Sequence, residues 1–346
     1  MEPIHRLSLI PDLPPPHVSM WKKVGKCARI SGFLVAALFF GAGFTEGLIS
    51  FVTKGATVVH GIAYSDAVTY TTVTASTTEE SLGSDENDNV LPVSLYNVKG
   101  KPVGINADSY VVGDVDTGEL ILVKDPDVVF PIASVSKLVT ALVAIDDFTS
   151  KQQVTVTKSA LATYGPSGGL QVGEKVKALD LLYPLLLESS NDVALLISEQ
   201  FELNEFPKLM NEKVQSLGMV STSFEEASGL SAKNISTSYD LFKLSQYIYS
   251  EEPDLLDITR IREFSLMNHT WNNYNYFLKD KTFIGGKNGY TDEALRSAVD
   301  LFELPIKIGS TTEDHTIAII ILHTETREKD ISALLDFLKK NVSLSQ

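Results

Sequence analysis

Phe130-Pro131-Ile132-Ala133-Ser134-Val135-Ser136-Lys137 runs without a break into Leu138-Val139-Thr140-Ala141-Leu142-Val143-Ala144-Ile145. A helix that is apolar on nearly every side is buried in the middle of a domain, so this stretch predicts a central helix over Ser134–Phe148. Ser134 falls at its start, where unpaired backbone N–H groups and the positive end of the helix dipole stabilise a developing oxyanion. Lys137, one turn on, shares its face. A serine hydroxyl needs a base before it becomes a nucleophile, and a partly desolvated lysine with a lowered pKa supplies one. The Ser-x-x-Lys pattern is short: Ser19-Met20-Trp21-Lys22 repeats it, and a helix cap beside a surface lysine produces the same spacing.

The chain divides around this centre. Ser109–Val115 and Glu119–Lys124, joined at Asp116-Thr117-Gly118, read as a hairpin. Helical stretches follow at Ala178–Glu188, Asp192–Phe201, Glu205–Leu217 and Ser238–Ser250. Thr282–Tyr290, Ala298–Ile308 and Thr316–His323 read as strands, and Asp330–Lys340 as a closing helix. Strands at both ends with helices between predict an α+β fold, an antiparallel sheet built from both ends of the domain with a helical subdomain between them.

Sixteen uncharged residues, Ile30–Thr45, follow Lys22, Lys23, Lys26 and Arg29, and the apolar character resumes after Glu46 through Val52. Residues 30–53 are therefore expected to be a transmembrane signal-anchor, with 1–29 as a cytoplasmic N-terminal segment. A cleaved signal peptide ending near Ala42 and Gly43 is the alternative. Both readings place everything after residue 54 outside the cytoplasm. Residues 54–94 contain the Thr-, Ser- and acid-rich run 64–90, the composition of an extracytoplasmic linker. The globular domain is expected over 95–346.

With 44% hydrophobic and 21% charged residues, the chain as a whole is not of disordered composition. Six of its 29 Lys/Arg and three of its 44 Asp/Glu lie in residues 1–54, leaving 23 basic against 41 acidic residues for the remainder. So acidic a domain repels phosphate backbones, which excludes nucleic acid as an expected partner. The single cysteine, Cys27, allows no intramolecular disulfide. Six scattered histidines without His-Glu-x-x-His or paired Cys-x-x-Cys spacing give no metal site.

Two further motifs follow the serine and lysine. Glu188-Ser189-Ser190-Asn191-Asp192 joins two apolar helices, with Asp192 placed as N-cap of the second, and Ser189 and Asn191 form the only Ser-x-Asn in the chain. Ile284-Gly285-Gly286-Lys287-Asn288-Gly289-Tyr290-Thr291 holds a Lys-x-Gly in a strand context, where glycines let a substrate backbone lie close. An inter-helix loop and a bulge or hairpin account for these two segments equally well, and Lys307-Ile308-Gly309 repeats the second pattern.

Taken in order, Ser-x-x-Lys at a buried helix start, Ser-x-Asn in a helix junction and Lys-x-Gly on a late strand resemble the three motifs of penicillin-binding enzymes and serine β-lactamases. Within that superfamily the chain is similar to the D-alanyl-D-alanine carboxypeptidases, serine peptidases of cell-wall maturation. The likeness extends through Leu170–Glu174, Asp180–Leu187, Met210–Lys213, Leu217-Gly218-Met219, Ser228-Gly229-Leu230 and Ser238–Leu241, about residues 95–340. The resemblance implies a β-lactamase/penicillin-binding-protein-like fold and an acyl-enzyme mechanism with no metal or organic cofactor. By resemblance, Ser134 attacks the carbonyl of the penultimate D-alanine while Lys137 takes its proton and later helps activate the deacylating water. Ser189 relays a proton to the leaving amine and Asn191 orients the bound peptide and Lys137. Lys287 supplies positive potential, the N–H groups of Ser134 and Tyr290 form the oxyanion hole, and Asn288, Gly289, Tyr290 and Thr291 line the substrate. Arg327, in Thr326-Arg327-Glu328, aligns with an arginine that clamps the substrate's terminal carboxylate, a task suited to guanidinium. The implied partners are a peptidoglycan stem peptide ending in D-Ala-D-Ala and β-lactams as covalent inhibitors.

Three departures stand out. Asn288 replaces the threonine whose hydroxyl helps hold the substrate carboxylate. Leu295-Arg296 stands where a glycine is expected. The β-rich domain and amphipathic C-terminal anchor of many relatives are not expected after Gln346, so anchoring falls to residues 30–53. A β-lactamase is the alternative enzyme, with Glu225 or Glu226 as deacylation base although the Glu-x-x-Leu-Asn context is missing. A catalytically weak wall-binding or regulatory protein that keeps the fold is the non-enzymatic alternative.

Overall fold

A computed structural model of the chain describes residues 95–344. The segments 1–29 and 30–53 and the whole of the linker 54–94 lie outside them. Among the described residues no helix is long and apolar enough to cross a membrane.

One seven-stranded sheet organises the domain. Its strands are β1 (Tyr96–Val98), β2 (Ser109–Asp114), β3 (Leu120–Lys124), β4 (Phe283–Thr291), β5 (Leu295–Ile308), β6 (Thr311–Thr324) and β7 (Val342–Leu344). The spatial order is β1-β7-β5-β6-β2-β3, with β4 pairing along the other end of the β5 edge that carries β7. All pairings are antiparallel except the single parallel bridge of β5 to β7 at Lys307 and Ser343. The sheet is thus assembled from both ends of the domain, as the sequence predicts.

Between β3 and β4 lie α1 (Lys137–Asp147), α2 (Leu182–Leu187), α3 (Asn191–Ser198), α4 (Glu205–Ser216), α5 (Ser238–Glu251) and α6 (Pro253–Arg260). α7 (Arg327–Asn341) follows β6. Side chains alternate across a strand, and here both sets are apolar because both faces are covered. Val111, Val299, Leu301, Ala318 and Ile320 belong to the core shared with the helical subdomain. Val112, Ala298, Phe302, Ile317, Ile319 and Ile321 belong to the core closed by Ile331, Leu334, Leu335 and Leu338 of α7. Every residue of α1 from Lys137 to Ala144 is buried, so the apolar-all-round helix does occupy the middle of the domain.

The differences from the sequence reading are local. The predicted helix at Ser134–Phe148 begins as a 3₁₀ turn, Ala133–Ser136, and becomes α-helical at Lys137. Ser190, not Asp192, caps α3: its hydroxyl accepts from the Val193 N–H. Asp192, itself buried, also reaches a neighbouring loop, accepting from the Ser167 hydroxyl at 2.7 Å and the Gly168 N–H at 2.9 Å. α6, the hairpin Glu263–Leu266/His269–Asn272 and the β1/β7 pair were not predicted.

Candidate active site

The 3₁₀ turn before α1 is entered through Ala133 at φ +48°, a left-handed conformation that non-glycine residues rarely take. It sets Ser134 at the lip of the subdomain while Lys137 points inward and is fully buried. Lys137 Nζ donates to Ser134 Oγ at 2.9 Å, to Asn191 Oδ1 at 2.7 Å and to the Ser228 carbonyl at 2.5 Å. Three donors meet three acceptors, which satisfies the side chain inside the protein. Burial, reinforced by the positive charge of Lys287, holds its pKa well below that of a free lysine, while Glu226 and Asp192 oppose the shift. A buried amine that releases its proton this readily is suited to accept one from the hydroxyl beside it.

Asn191 is positioned from two sides. Its N–H donates to the Pro166 carbonyl at 2.7 Å and its side-chain amide to the Tyr164 carbonyl at 2.9 Å. Both leave the side-chain oxygen for Lys137. Ser189, two residues earlier, holds φ +60° and accepts from Lys287 Nζ at 3.0 Å. Lys287 also donates to the Asn288 carbonyl at 2.9 Å. Burial, with Arg327 nearby, brings its pKa down to about 7. The two lysines, the two serines and Asn191, separated by up to 153 positions (134 to 287) in the chain, therefore converge on one cleft between α1, α3 and β4.

Lys287 lies on β4 opposite Val299, and Gly289 opposite Ser297. The glycines here have a packing role within the protein. A Cβ on Gly289 would lie 2.8 Å from the Ser134 backbone nitrogen, 2.8 Å from Ser297 Oγ and 2.9 Å from Ala133 Cβ, so the bare Cα lets the strand approach the turn that carries Ser134. Gly285 and Gly286 are likewise packed, against Leu256 and Thr259 of α6 and against Asp300. Ser297 Oγ donates to the Ile132 carbonyl at 2.8 Å and ties the strand to that turn.

Arg327, the first residue of α7, is buried rather than exposed. Its Nη1 donates to the Gly289 carbonyl at 3.2 Å and the Ser297 carbonyl at 3.4 Å, and its Nη2 to Glu328 Oε1 at 2.6 Å. Tyr290 and Thr291 lie at the open end of β4. The Tyr290 ring is exposed, stacks with the Arg296 guanidinium at 5.4 Å and donates through its hydroxyl to Asp292. The Thr291 hydroxyl accepts from the Ala294 N–H at 3.1 Å, so its side chain closes the hairpin turn. That turn ends at Leu295, held at φ +50°: the missing glycine appears as a leucine in a conformation glycine takes without strain.

Sequence reasoning missed the loop that roofs Lys137. Glu226 accepts from the Ser228 N–H, the Ser228 hydroxyl and the Gly229 N–H at 2.5, 2.6 and 2.6 Å. Asn234 accepts from the Glu225 N–H at 2.9 Å and donates to the Glu226 carbonyl at 2.8 Å. Together they fix the Ser228 carbonyl over Lys137. The exposed Glu225 pairs instead with Lys233 at 2.6 Å. Gly229 is required sterically: a Cβ there would meet the Ala133 carbonyl oxygen at 2.0 Å. The only hint in the sequence is Ser228-Gly229 itself. Among the described residues no group of three or more His, Cys, Asp or Glu is arranged to hold a metal ion.

A family model described as D-alanyl-D-alanine carboxypeptidase matches residues 97–301. A D-alanyl-D-alanine endopeptidase of Pseudomonas aeruginosa is 32% identical over 199 residues, 54% of this chain and 64% of that protein. The D-alanyl-D-alanine carboxypeptidase DacD of Escherichia coli is 31% identical over 220 residues, 58% of this chain and 57% of its own. The chain thus spans somewhat less than two thirds of these curated relatives. Among solved structures, a D-alanyl-D-alanine carboxypeptidase from Mycobacterium tuberculosis superposes with a TM-score of 0.60 at 26% identity, covering 69% of this chain and 95% of the other. Penicillin-binding protein D2 from Listeria monocytogenes, solved with cefotaxime bound, gives 0.59 at 25% identity over 69% and 98%. Motif order, sheet topology and family match agree: the chain belongs to the D-alanyl-D-alanine carboxypeptidase family of serine peptidases.

Proposed function

We propose that the chain is a D-Ala-D-Ala carboxypeptidase that trims peptidoglycan stem peptides through an acyl-enzyme on Ser134. The observation that carries this reading is Lys137: a fully buried amine with a depressed pKa, 2.9 Å from Ser134 Oγ and held by Asn191 and the Ser228 carbonyl. Lys137 takes the Ser134 proton as Oγ attacks the carbonyl of the penultimate D-alanine. The N–H groups of Ser134 and Tyr290 stabilise the oxyanion. Ser189, backed by Lys287, passes a proton to the departing D-alanine nitrogen, and Lys137 then activates the water that releases the acyl group. Arg327, with Asn288 in place of the family's threonine, faces the terminal carboxylate of the substrate.

Relatives named as carboxypeptidases and as endopeptidases both match this chain, and Arg327 beside β4 is the group placed to meet a terminal carboxylate, with its strength as a clamp set by what else it binds. A β-lactamase would need a carboxylate free to activate water. Glu226 is engaged with four loop donors and Glu225 with Lys233, which weighs against that alternative. Residues 30–53 are proposed to anchor the protein, with the catalytic domain on the cell-wall side. The test is intact-protein mass of the detergent-solubilised full-length chain mixed with benzylpenicillin, beside Ser134→Ala, together with turnover of a D-Ala-D-Ala peptide. A persistent adduct and turnover on the unmodified protein alone support the reading. No adduct and no turnover would move the function to non-catalytic wall binding.

A further inference from the structure

The guanidinium assigned above to the substrate carboxylate already has a carboxylate. Arg327 Nη2 donates to Glu328 Oε1 at 2.6 Å, a charge-assisted bond at the short end of the range, while Nη1 is spent on the Gly289 and Ser297 carbonyls. The Arg327 side chain is only 10% exposed, and that of Glu328 31% exposed, so the pair is open to solvent mainly on the Glu328 side. Against the effect of partial burial, a backbone hydrogen bond, Arg327 and Arg296 lower the Glu328 pKa from its ordinary value. The buried Asp300 and Lys287 share the field of Arg327. Glu328 also has somewhere to go. It lines an open cavity of about 620 Å³ shared with Arg296, Tyr276 and Lys329, two of whose residues offer a displaced carboxylate a cation.

We propose that Glu328 is a specificity residue: it competes with the terminal carboxylate of an incoming peptide for Arg327, so that the site takes peptides with a blocked or extended C-terminus nearly as well as free acids. An arginine whose charge is already offset by Glu328 gives an incoming carboxylate less than a free guanidinium would, since the two negative charges compete for one cation and repel each other. An amide-terminated peptide carries no charge to bring to Arg327 and leaves the pair in place. The inference rests on the proposed role of Arg327 at the substrate's terminus, and it deepens that reading by naming the substrate class.

The test measures binding rather than turnover, in full-length protein carrying Ser134→Ala. Affinities for diacetyl-L-Lys-D-Ala-D-Ala and for its C-terminal amide are compared by calorimetry, with and without Glu328→Gln. Glu328→Ser serves as a second variant that keeps an oxygen at the start of α7. The two peptides should bind Ser134→Ala within a few-fold of each other. Removing the Glu328 charge should tighten the free acid about tenfold or more, leave the amide unchanged, and lose the gain when Arg327→Gln is added. Equal tightening of both peptides, or no change in the acid with either Glu328 variant, overturns the proposal. Failure of the peptidase reading shows separately, as absence of a penicillin adduct on protein that retains Ser134.

Discussion

Replacing Gly289 with alanine isolates one physical claim, that a missing side chain on β4 sets the distance between the strand and the nucleophile. Gly289 is not among the positive-φ residues, so the substitution acts through space alone. The new Cβ would sit 2.8–2.9 Å from Ser134 N, Ser297 Oγ and Ala133 Cβ, where ordinary contacts begin at 3.4 Å, so one side has to retreat by about 0.5 Å. The Ser297–Ile132 bond and the Arg327–Gly289 bond resist that retreat. Overpacking of this kind costs about 1–3 kcal/mol, which for a domain of this size lowers Tm by roughly 2–12 °C. Ser134 N is also the proposed oxyanion donor. A displacement of about 1 Å at a reacting centre slows the chemistry by about 100-fold; a retreat of about half that should slow acylation by benzylpenicillin by about tenfold. The assay pairs a thermal melt with the acylation rate from intact-protein mass. Gly218→Ala is the control: Gly218 follows α4 at φ +71° with nothing within 4 Å of the added Cβ, so it should lose about 1 kcal/mol through backbone strain and acylate normally. A folded Gly289→Ala protein that acylates at the full rate would refute the reasoning.

Lys137 and Lys287 also make stability depend on pH. In the unfolded chain both keep their protons to about pH 10.5, whereas folded Lys287 releases its proton near 7 and Lys137 also well below its ordinary value. Between those limits the unfolded state binds more protons, so stability rises with pH from about 7 to 10, by a few kcal/mol in order of magnitude. Urea midpoints should increase between pH 7 and pH 9 and the slope should flatten in Lys287→Met; a flat or falling profile for the unmodified protein contradicts the assignment. Glu226→Gln keeps one oxygen to accept from the Ser228 N–H or the Gly229 N–H, which bond different carboxylate oxygens, turns the other into an NH2 donor, and removes the negative charge that supports the Lys137 ammonium. The Lys137 pKa then falls further, and the acidic limb of the acylation–pH profile moves to lower pH with the rate at pH 7 within about tenfold. An unmoved limb, or a shift to higher pH, would show that Glu226 acts on the loop alone.

Much of this arrangement is legible in the sequence because its cause is local. The hairpin around Asp116-Thr117-Gly118, α4, α5 and the long strands β5 and β6 appear within a few residues of where periodicity places them, since a side chain's burial repeats with the pitch of its own element. The three motifs are readable too, and family resemblance supplies the grouping of Ser134, Lys137, Ser189, Asn191 and Lys287, which periodicity does not. The elements that escaped are held from far away. β1 and β7 are three residues each and pair Tyr96 with Leu344, and no window of sequence contains both partners. The cap of α3 was misread because Ser190 and Asp192 are equally good capping residues, and the choice between them is made by Ser167 and Gly168, which recruit the aspartate.

By itself the sequence determined that a serine and a lysine stand one turn apart at the mouth of a buried helix, that a sheet is built from both ends of the domain, and which family's motifs the chain carries. The tertiary structure decided the rest: that the Ser228 carbonyl, tied down by Glu226 and Asn234, is a ligand of Lys137, that Gly289 makes room for the turn of Ser134, and that Arg327 arrives already paired with Glu328. The difference is one of range. Helix and strand patterns follow from neighbours in the chain, whereas proton affinity, steric clearance and charge compensation depend on burial and on groups brought from distant positions, which exist only once the chain has packed.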